Sequence, residues 1–388
     1  MKREVKLITG LIVILLLVGS VATAAEKPSI ALNWYGYVKL DASYDQNLTS
    51  HGNFSMWVNP EGESDDEQFN MTHRQSRFGF KAKSKGYEGV NLAGQLEFDL
   101  YGSGGTENKS LLLLRHAYLS VGTGDFQLIA GQTWDLIGPL NPSTLNYPVL
   151  WGCGNSGYRR PQIRFTYTAA TGASSNVKMA AGFFRTIGSD LTPTLTLSTE
   201  VSDGSDDGTD AGIPSVQGLL EFSSKSTSGM KFRAGVSGLW GQLKAEGNQG
   251  SEETYESQGV FGHMAVSFNN QFGLSGEGFS GSNLGSYNAG INNSNTIDGV
   301  NTVGGWAHVW FKPTAKVKLG AGFGFDDPDD ADLSSNNRAR NQSIFGNISV
   351  TPIKPFTVGL EISQWETEYK DAETAKNLRA QTSFILKF

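Results

Sequence analysis

Only one cysteine, Cys153, stands among 388 residues, so no intrachain disulfide can hold the fold together and hydrogen-bonded sheet must do so. Proline is scarce as well, 12 against 48 glycines, and with aromatics at 11% this balance suits many strands and tight turns rather than helices. Helix-forming runs of Ala, Leu, Glu and Lys are missing beyond the first two dozen residues. A single long apolar run, centred on Leu11–Val18, falls short of the ~20 residues a spanning helix needs. There is no G-x-S-x-G elbow and no H-E-x-x-H motif. The five histidines, His51, His73, His116, His263 and His308, have no metal-ligand spacing. Neither catalysis nor a metal or other cofactor is therefore expected. Basic residues are outnumbered by acidic ones, 31 to 38, which argues against nucleic acid as a partner.

What is present begins with an export signal. Lys2, Arg3 and Lys6 precede the apolar run, and Ala22-Thr23-Ala24 supplies a small-residue cleavage site. Residues 1–24 are thus read as a signal peptide and 25–388 as one domain, since no linker divides the remainder. Removal of the signal takes the net charge from −7 to −9, because Lys2, Arg3, Lys6 and Glu4 sum to +2.

The domain alternates apolar and polar residues in short segments. In Ile30–Tyr44, Leu32, Trp34, Gly36, Val38, Leu40 and Ala42 share one face; Asn33, Tyr35, Tyr37, Lys39, Asp41 and Ser43 share the other. About sixteen such segments follow one another, including Met71–Ser84, Gly89–Tyr101, Ser110–Val121, Gln162–Ala169 and Asn377–Phe388. Long polar connections and tight turns alternate between them. A sandwich has no reason to separate long from short connections in this way; an antiparallel barrel in a membrane does, with its loops on one side and its turns on the other. The expected fold is all-β, a transmembrane antiparallel β-barrel of about sixteen strands. A mean hydropathy of −0.29 is compatible with it, because such barrels place their apolar residues at every second position.

One connection differs from the others. Residues 134–161, WDLIGPLNPSTLNYPVLWGCGNSGYRRP, are long and turn-rich, carry Trp134, Tyr147, Trp151 and Tyr158, and end on Arg159 and Arg160. A connection of this length without secondary structure is usually functional. It is expected to fold inward and narrow the barrel.

Several short motifs resemble the Gram-negative trimeric porins. They are Tyr35-Gly36-Tyr37-Val38-Lys39, Ser76-Arg77-Phe78-Gly79-Phe80-Lys81, Leu114-Arg115-His116-Ala117-Tyr118, Gly131-Gln132-Thr133-Trp134 and the terminal Phe388. Within that group the chain looks most like the DcaP-like porins. The resemblance implies an outer-membrane homotrimer and passive uptake of small hydrophilic solutes, with a preference for anions or dicarboxylates. It also implies delivery to the barrel assembly machinery through the C-terminal strand, which ends on Phe388. The chain departs from the subgroup in one respect: only a few residues separate Ala25 from the first strand, where a helical periplasmic segment is expected. An adhesin or receptor-like barrel is the alternative reading, and a barrel hydrolase a more distant one.

If apolar faces meet lipid, the opposite faces line water. These offer Lys39, Asp41, Lys81, Glu97 and Asp99, then Lys231, Arg233, Glu361 and Arg379 as pore-lining charges. A ring of fixed charge at a narrow point concentrates ions of opposite sign. The constriction is expected from Arg159, Arg160 and Arg164 facing Arg77 and Arg115, with Asp135 as acidic counterweight. The alternative is that these arginines pair with Glu97, Asp99 or Glu361 and brace the loop. Both faces of Leu111–Val121 are apolar, so its parity is ambiguous. Trp34, Trp240, Trp306 and Trp310 are candidates for the interfacial aromatic belts. The acidic stretches Asp203–Asp210 and Asp326–Asp332 read as solvated outer loops, bridged through divalent ions to lipopolysaccharide.

Overall fold

The computed structural model describes residues 30–60, 67–84, 86, 89–188, 207–246 and 252–388; the signal segment lies outside them. The strands are β1 (Ile30–Asp45), β2 (Gln68–Thr72), β3 (Arg77–Ser84), β4 (Val90–Asp99), β5 (Leu113–Thr123), β6 (Phe126–Trp134), β7 (Arg159–Gly172), β8 (Ser175–Phe184) and β9 (Ser215–Lys225). They continue as β10 (Lys231–Glu246), β11 (Glu252–Phe268), β12 (Phe272–Ser282), β13 (Asn301–Phe311), β14 (Val317–Pro328), β15 (Arg338–Ile353), β16 (Phe356–Tyr369) and β17 (Ala375–Lys387).

Consecutive strands from β3 onward pair antiparallel, and β17 returns to β1 in a register running from Tyr37↔Lys387 to Asp45↔Arg379. Closure leaves no unpaired edge, which a sheet in lipid requires. Both β2 and β3 pair with β1, so they are halves of one spanning strand interrupted at residues 73–76. At that break the Ser76 hydroxyl accepts from the Lys39 amide at 3.0 Å and donates to the Lys39 carbonyl at 3.1 Å, standing in for the missing ladder partner. Counted this way the barrel has sixteen spanning strands, as the alternation predicts.

The faces also follow the alternation. In β1, Leu32, Trp34 and Val38 are exposed to the outside, while Lys39, Asp41, Ser43 and Asp45 are buried within. Turns such as residues 124–125, 173–174 and 354–355 close one end, the periplasmic end of barrels of this class; the long connections gather at the other.

Some expectations are corrected. The parity problem in Leu111–Val121 has a physical cause, a β-bulge. Glu97 pairs with His116 and Phe98 with Leu114, so Arg115 is an extra residue, and both Arg115 and His116 are buried within the barrel. Trp306 and Trp310 are not belt residues. Trp306 is buried and donates to Glu277 Oε2 at 3.2 Å, and Trp310 lines an internal cavity, because odd-even parity in β13 turns them inward. Nor is the acidic stretch at Asp326 wholly solvated. Asp326 and Asp327 belong to β14, and Asp326 is fully buried, accepting from Thr302 Oγ1 at 2.8 Å and from the Ile291 amide at 3.1 Å. In the other acidic stretch, residues 203–206 lie outside those described, and Asp207 is buried against the Tyr255 hydroxyl, which donates to it.

The interior is filled by inward-folded loops rather than by a conventional core. Val58 from the first long loop packs with Leu150, Cys153, Trp306, Phe345 and Trp365. Ile137 packs with Leu239, Phe261, Phe279, Leu284 and Tyr287.

Candidate functional site

The connection between β6 and β7 covers residues 135–158; Arg159–Pro161, expected at its exit, begin β7. Its two ends are tied at Asp135. The Asp135 amide donates to the Tyr158 carbonyl at 2.8 Å, and the Asp135 carboxylate accepts from the Tyr158 amide at 2.9 Å, from Gln217 Nε2 at 2.8 Å and from Arg160 Nε at 2.8 Å. Arg160 also lies 3.9 Å from the centroid of the Tyr287 ring and donates to the Ser286 carbonyl. The pair is fully buried, so Asp135 and Arg160 brace the root of the loop and present neither charge to a solute. The root can close this tightly because Gly138 has φ 56°, and a Cβ there would stand 2.2 Å from the Ser156 carbonyl oxygen.

Beyond the root, the loop crosses to the far wall and is held there by carboxylates. Glu277 accepts from the Leu140 amide at 2.6 Å, and Glu361 from the Leu145 amide at 2.7 Å and the Asn146 amide at 3.2 Å. Lys39 and Gln381 both donate to the Leu145 carbonyl, at 2.9 and 3.0 Å. On the return, the Cys153 thiol donates to the Gly324 carbonyl at 3.2 Å, and Asn341 donates to the Gly152 carbonyl at 2.6 Å. Buried loop backbone has to find partners, and here the inner face of the barrel supplies them.

This contact pattern accounts for four of the charges expected to line the pore. Lys39, Asp41, Glu361 and Arg379 do face inward, as parity predicts, but each is covered. Lys39 and Asp41 pair at 3.1 Å beneath Leu145, and Arg379 binds Asp45 at 2.5 Å and the Asn53 carbonyl at 2.8 Å under the first long loop. Alternation fixes a residue's face, but whether a loop lies over it is a tertiary matter.

The opposite wall, β3 to β7, is arranged differently. Arg77 and Arg115 share Glu97, at 3.5 and 2.9 Å, and Arg115 also pairs with Asp99 at 2.6 Å. Tyr147 reaches over from the loop, accepting from Arg115 and donating to Asp99, each at 3.2 Å. Burial pushes the Tyr147 phenol up to about 12, so it stays protonated. Lys81 lies over the Tyr35 ring and is exposed to the lumen, as is Lys231 farther round; Arg233 is half-buried.

Arg159 stands out on this wall. It is 3% exposed, and its guanidinium lies over Tyr158 at 4.4 Å, Trp134 at 4.7 Å and Trp151 at 6.0 Å. None of its three guanidinium nitrogens has a hydrogen-bond partner among the described residues. Three ring faces offset part of the cost of burying a cation, at ~0.5–2 kcal/mol each. They leave the nitrogens open to an acceptor. Nearby, Arg164 donates to the Trp134 carbonyl at 3.4 Å and its Nε is also unpartnered. Together Arg77, Lys81, Arg115, Arg159 and Arg164 set five cations against the two carboxylates Glu97 and Asp99, an excess of three positive charges. Above them a cavity of about 550 Å³ is lined by Phe54, Trp57, Arg74, Tyr101, Trp151 and Tyr158, among others.

Sequence reasoning missed His116, whose Nδ1 lies 3.0 Å from Thr133 Oγ1, and the chain Tyr118–Gln95–Tyr35–Glu97, joined at 2.9, 2.6 and 2.8 Å. Parity marks Gln95 and Tyr35 as inward-facing. Nothing local marks His116, because the bulge resets the parity there.

No family model matches the chain, and no curated protein matches it. Solved structures do. The outer membrane channel DcaP of Acinetobacter baumannii is 19% identical with a TM-score of 0.72, over 95% of this chain and 100% of that one. An anion-selective porin from Comamonas acidovorans is 12% identical with a TM-score of 0.55, over 93% and 100%. Pseudomonas putida OprB is 12% identical with a TM-score of 0.56, over 92% and 94%. The chain has the fold of these outer-membrane porins, a closed sixteen-strand barrel. Among solved porin structures, that of the DcaP channel is one it resembles over nearly its whole length.

Proposed function

We propose that this protein is an outer-membrane porin that lets small hydrophilic solutes diffuse passively and favours anions, dicarboxylates among them. The carrying observation is the excess of positive charge on the β3–β7 wall, with the Arg159 guanidinium caged by aromatics and without a carboxylate partner among the described residues. Fixed charge at a narrowed, partly desolvated point sets which ion enters. Arg77, Arg115, Arg159 and Arg164 form the basic side of the constriction, and the loop face with Trp134, Tyr147 and Trp151 forms the other. The anion selectivity of the Comamonas porin, which shares the fold, supports the reading. A homotrimer is part of it, and OmpT, an outer membrane protein of similar fold from Vibrio cholerae, has been solved in trimer form. Strand β17 serves as the assembly signal, and the exposed acidic residues of the outer loops, Asp329 and Asp330 among them, meet lipopolysaccharide through divalent cations.

The test is the reversal potential of the purified protein in a planar bilayer under a KCl gradient. Anion selectivity that falls when Arg159 and Arg164 are replaced by glutamine is the expected result. Cation selectivity would sink the basic constriction, and absence of conductance from folded protein would sink the porin.

A further inference from the structure

A second internal cavity, of about 280 Å³, lies on the other side of the loop. The loop residues Leu140, Asn141 and Ser143 roof it, and β10 to β13 form its wall near their short-turn ends, with Lys231, Arg233, His308 and Trp310 among the lining side chains. No carboxylate among the described residues lines it. Arg233 spends its Nε on Glu221 at 2.5 Å, and no bond from its terminal nitrogens is found among the described residues; Lys231 makes one hydrogen bond, to Asn270 at 3.0 Å. His308 is 2% exposed, and its Nε2 is buried without a hydrogen-bond partner among the described residues. Trp310 lies flat on Gly273, where a Cβ would meet its ring at 2.6 Å, and the ammonium groups of Lys312 and Lys318 stand 5.3 and 5.9 Å from its ring centroid.

The short-turn end around it is mostly of the same sign, with Asp125 as an exposed acid among its described residues. Lys225, Lys231, Lys312, Lys316, Lys354 and Lys387 are exposed at the short-turn end. A cavity lined by Lys231, Arg233 and a buried His308 nitrogen, with Glu221 paired to the Nε of Arg233 and a largely basic surround, suits a small negatively charged ligand.

We propose that this cavity is a second anion station, which holds a small carboxylate after it has passed the loop and before it leaves at the periplasmic mouth. Lys231 and Arg233 bind the carboxylate, His308 gives it a further hydrogen bond, and Trp310 covers its apolar end. The proposal rests on the reading of the barrel as an anion-favouring porin, and adds a stopping point separate from the Arg159 wall. Two weak stations in series let an ion bind well enough to enter and loosely enough to leave.

The test is single-channel conductance of the whole protein in rising concentrations of potassium butanoate. Wild type is expected to saturate. In a K231Q/R233Q variant the half-saturating concentration should rise by about threefold, the scale of removing two partly solvated charges, and Arg233→Lys should restore most of it. His308→Gln, which leaves every charge in place, should raise it by a smaller factor. Anion preference in a KCl gradient should persist in all three variants, because the Arg159 wall is untouched. A wild-type conductance linear in butanoate, or a double variant that saturates as wild type does, would overturn the station while leaving the porin intact. Cation preference of the wild type in KCl would overturn the reading beneath it.

Discussion

Two walls of one barrel, built by the same alternation, use their inward charges in opposite ways. On the β12–β17 side and β1, Glu277, Glu361 and Lys39 hold the backbone of the inward loop, and Asp326 and Arg379 hold the backbone of other long connections. On the β3–β7 side, two carboxylates face five cations, and among the described residues Arg159 has aromatic faces and no hydrogen-bond partner. The difference shows what a carboxylate in a barrel lumen can be for. Set against loop amides it fixes a lid in place; set among arginines it trims a positive field without cancelling it. A buried charge has to be paired or to cost stability, and the proposed basic constriction rests on the cation that has no such pair among the described residues.

The comparison breaks most severely at the loop root. Asp135→Asn should destabilise the folded barrel by ~3–5 kcal/mol, because it takes the carboxylate away from the buried Arg160 charge; urea unfolding in detergent measures this. A variant as stable as wild type would mean the pair is not the brace described. Next comes the far anchor. Glu361→Ala takes the acceptor from Leu145, Asn146 and Asn347, a loss of ~1–3 kcal/mol. Its signature should be a noisier and larger single-channel current as the loop tip loosens, and an unchanged current trace would argue that Glu277 and Lys39 suffice.

On the opposite wall the effect on stability should be small and the effect on selectivity large. Arg159→Gln should change unfolding free energy by no more than about 1 kcal/mol, since the burial cost it relieves is offset by the three ring contacts it loses, while the reversal potential in a KCl gradient moves toward zero. An Arg159→Gln barrel with wild-type selectivity and much lower stability would reverse the roles given to the two walls.

The mildest probe is Cys153. It is fully buried, and burial holds its thiol well above the usual range for cysteine, so little reactive thiolate forms. A maleimide should leave the folded protein unlabelled at pH 8 and label it after unfolding. Glu361→Ala should label at an intermediate rate, which makes the thiol a reporter of loop attachment; rapid labelling of wild type would mean the loop is not seated on β14.

Most of the fold was legible because the period-2 signal is long. Ile30–Tyr44 was expected and Ile30–Asp45 is found; Asn377–Phe388 was expected and Ala375–Lys387 is found. The break at residues 73–76 escaped, since Ser76 replaces a ladder bond with its side chain and leaves the alternation on either side undisturbed. At the candidate site, parity brought Arg77, Glu97, Asp99 and Arg164 to the inner face. It gave no way to tell that Arg160 would be spent on Asp135 while its neighbour Arg159 would be left to three aromatic rings.

The sequence by itself determined the architecture: alternating segments divided by turns have one way to bury apolar faces in lipid and polar ones in water, and closing the ring satisfies every edge. Tertiary structure alone decided three things. One is the bulge that turns both Arg115 and His116 inward, which depends on the register against β4. Another is the path of the inward loop, which depends on carboxylates from strands more than a hundred residues away. The last is which charges remain for a solute. A side chain's face is a local property of the backbone, whereas its partner is set by whatever the closed barrel brings within about 3 Å of it.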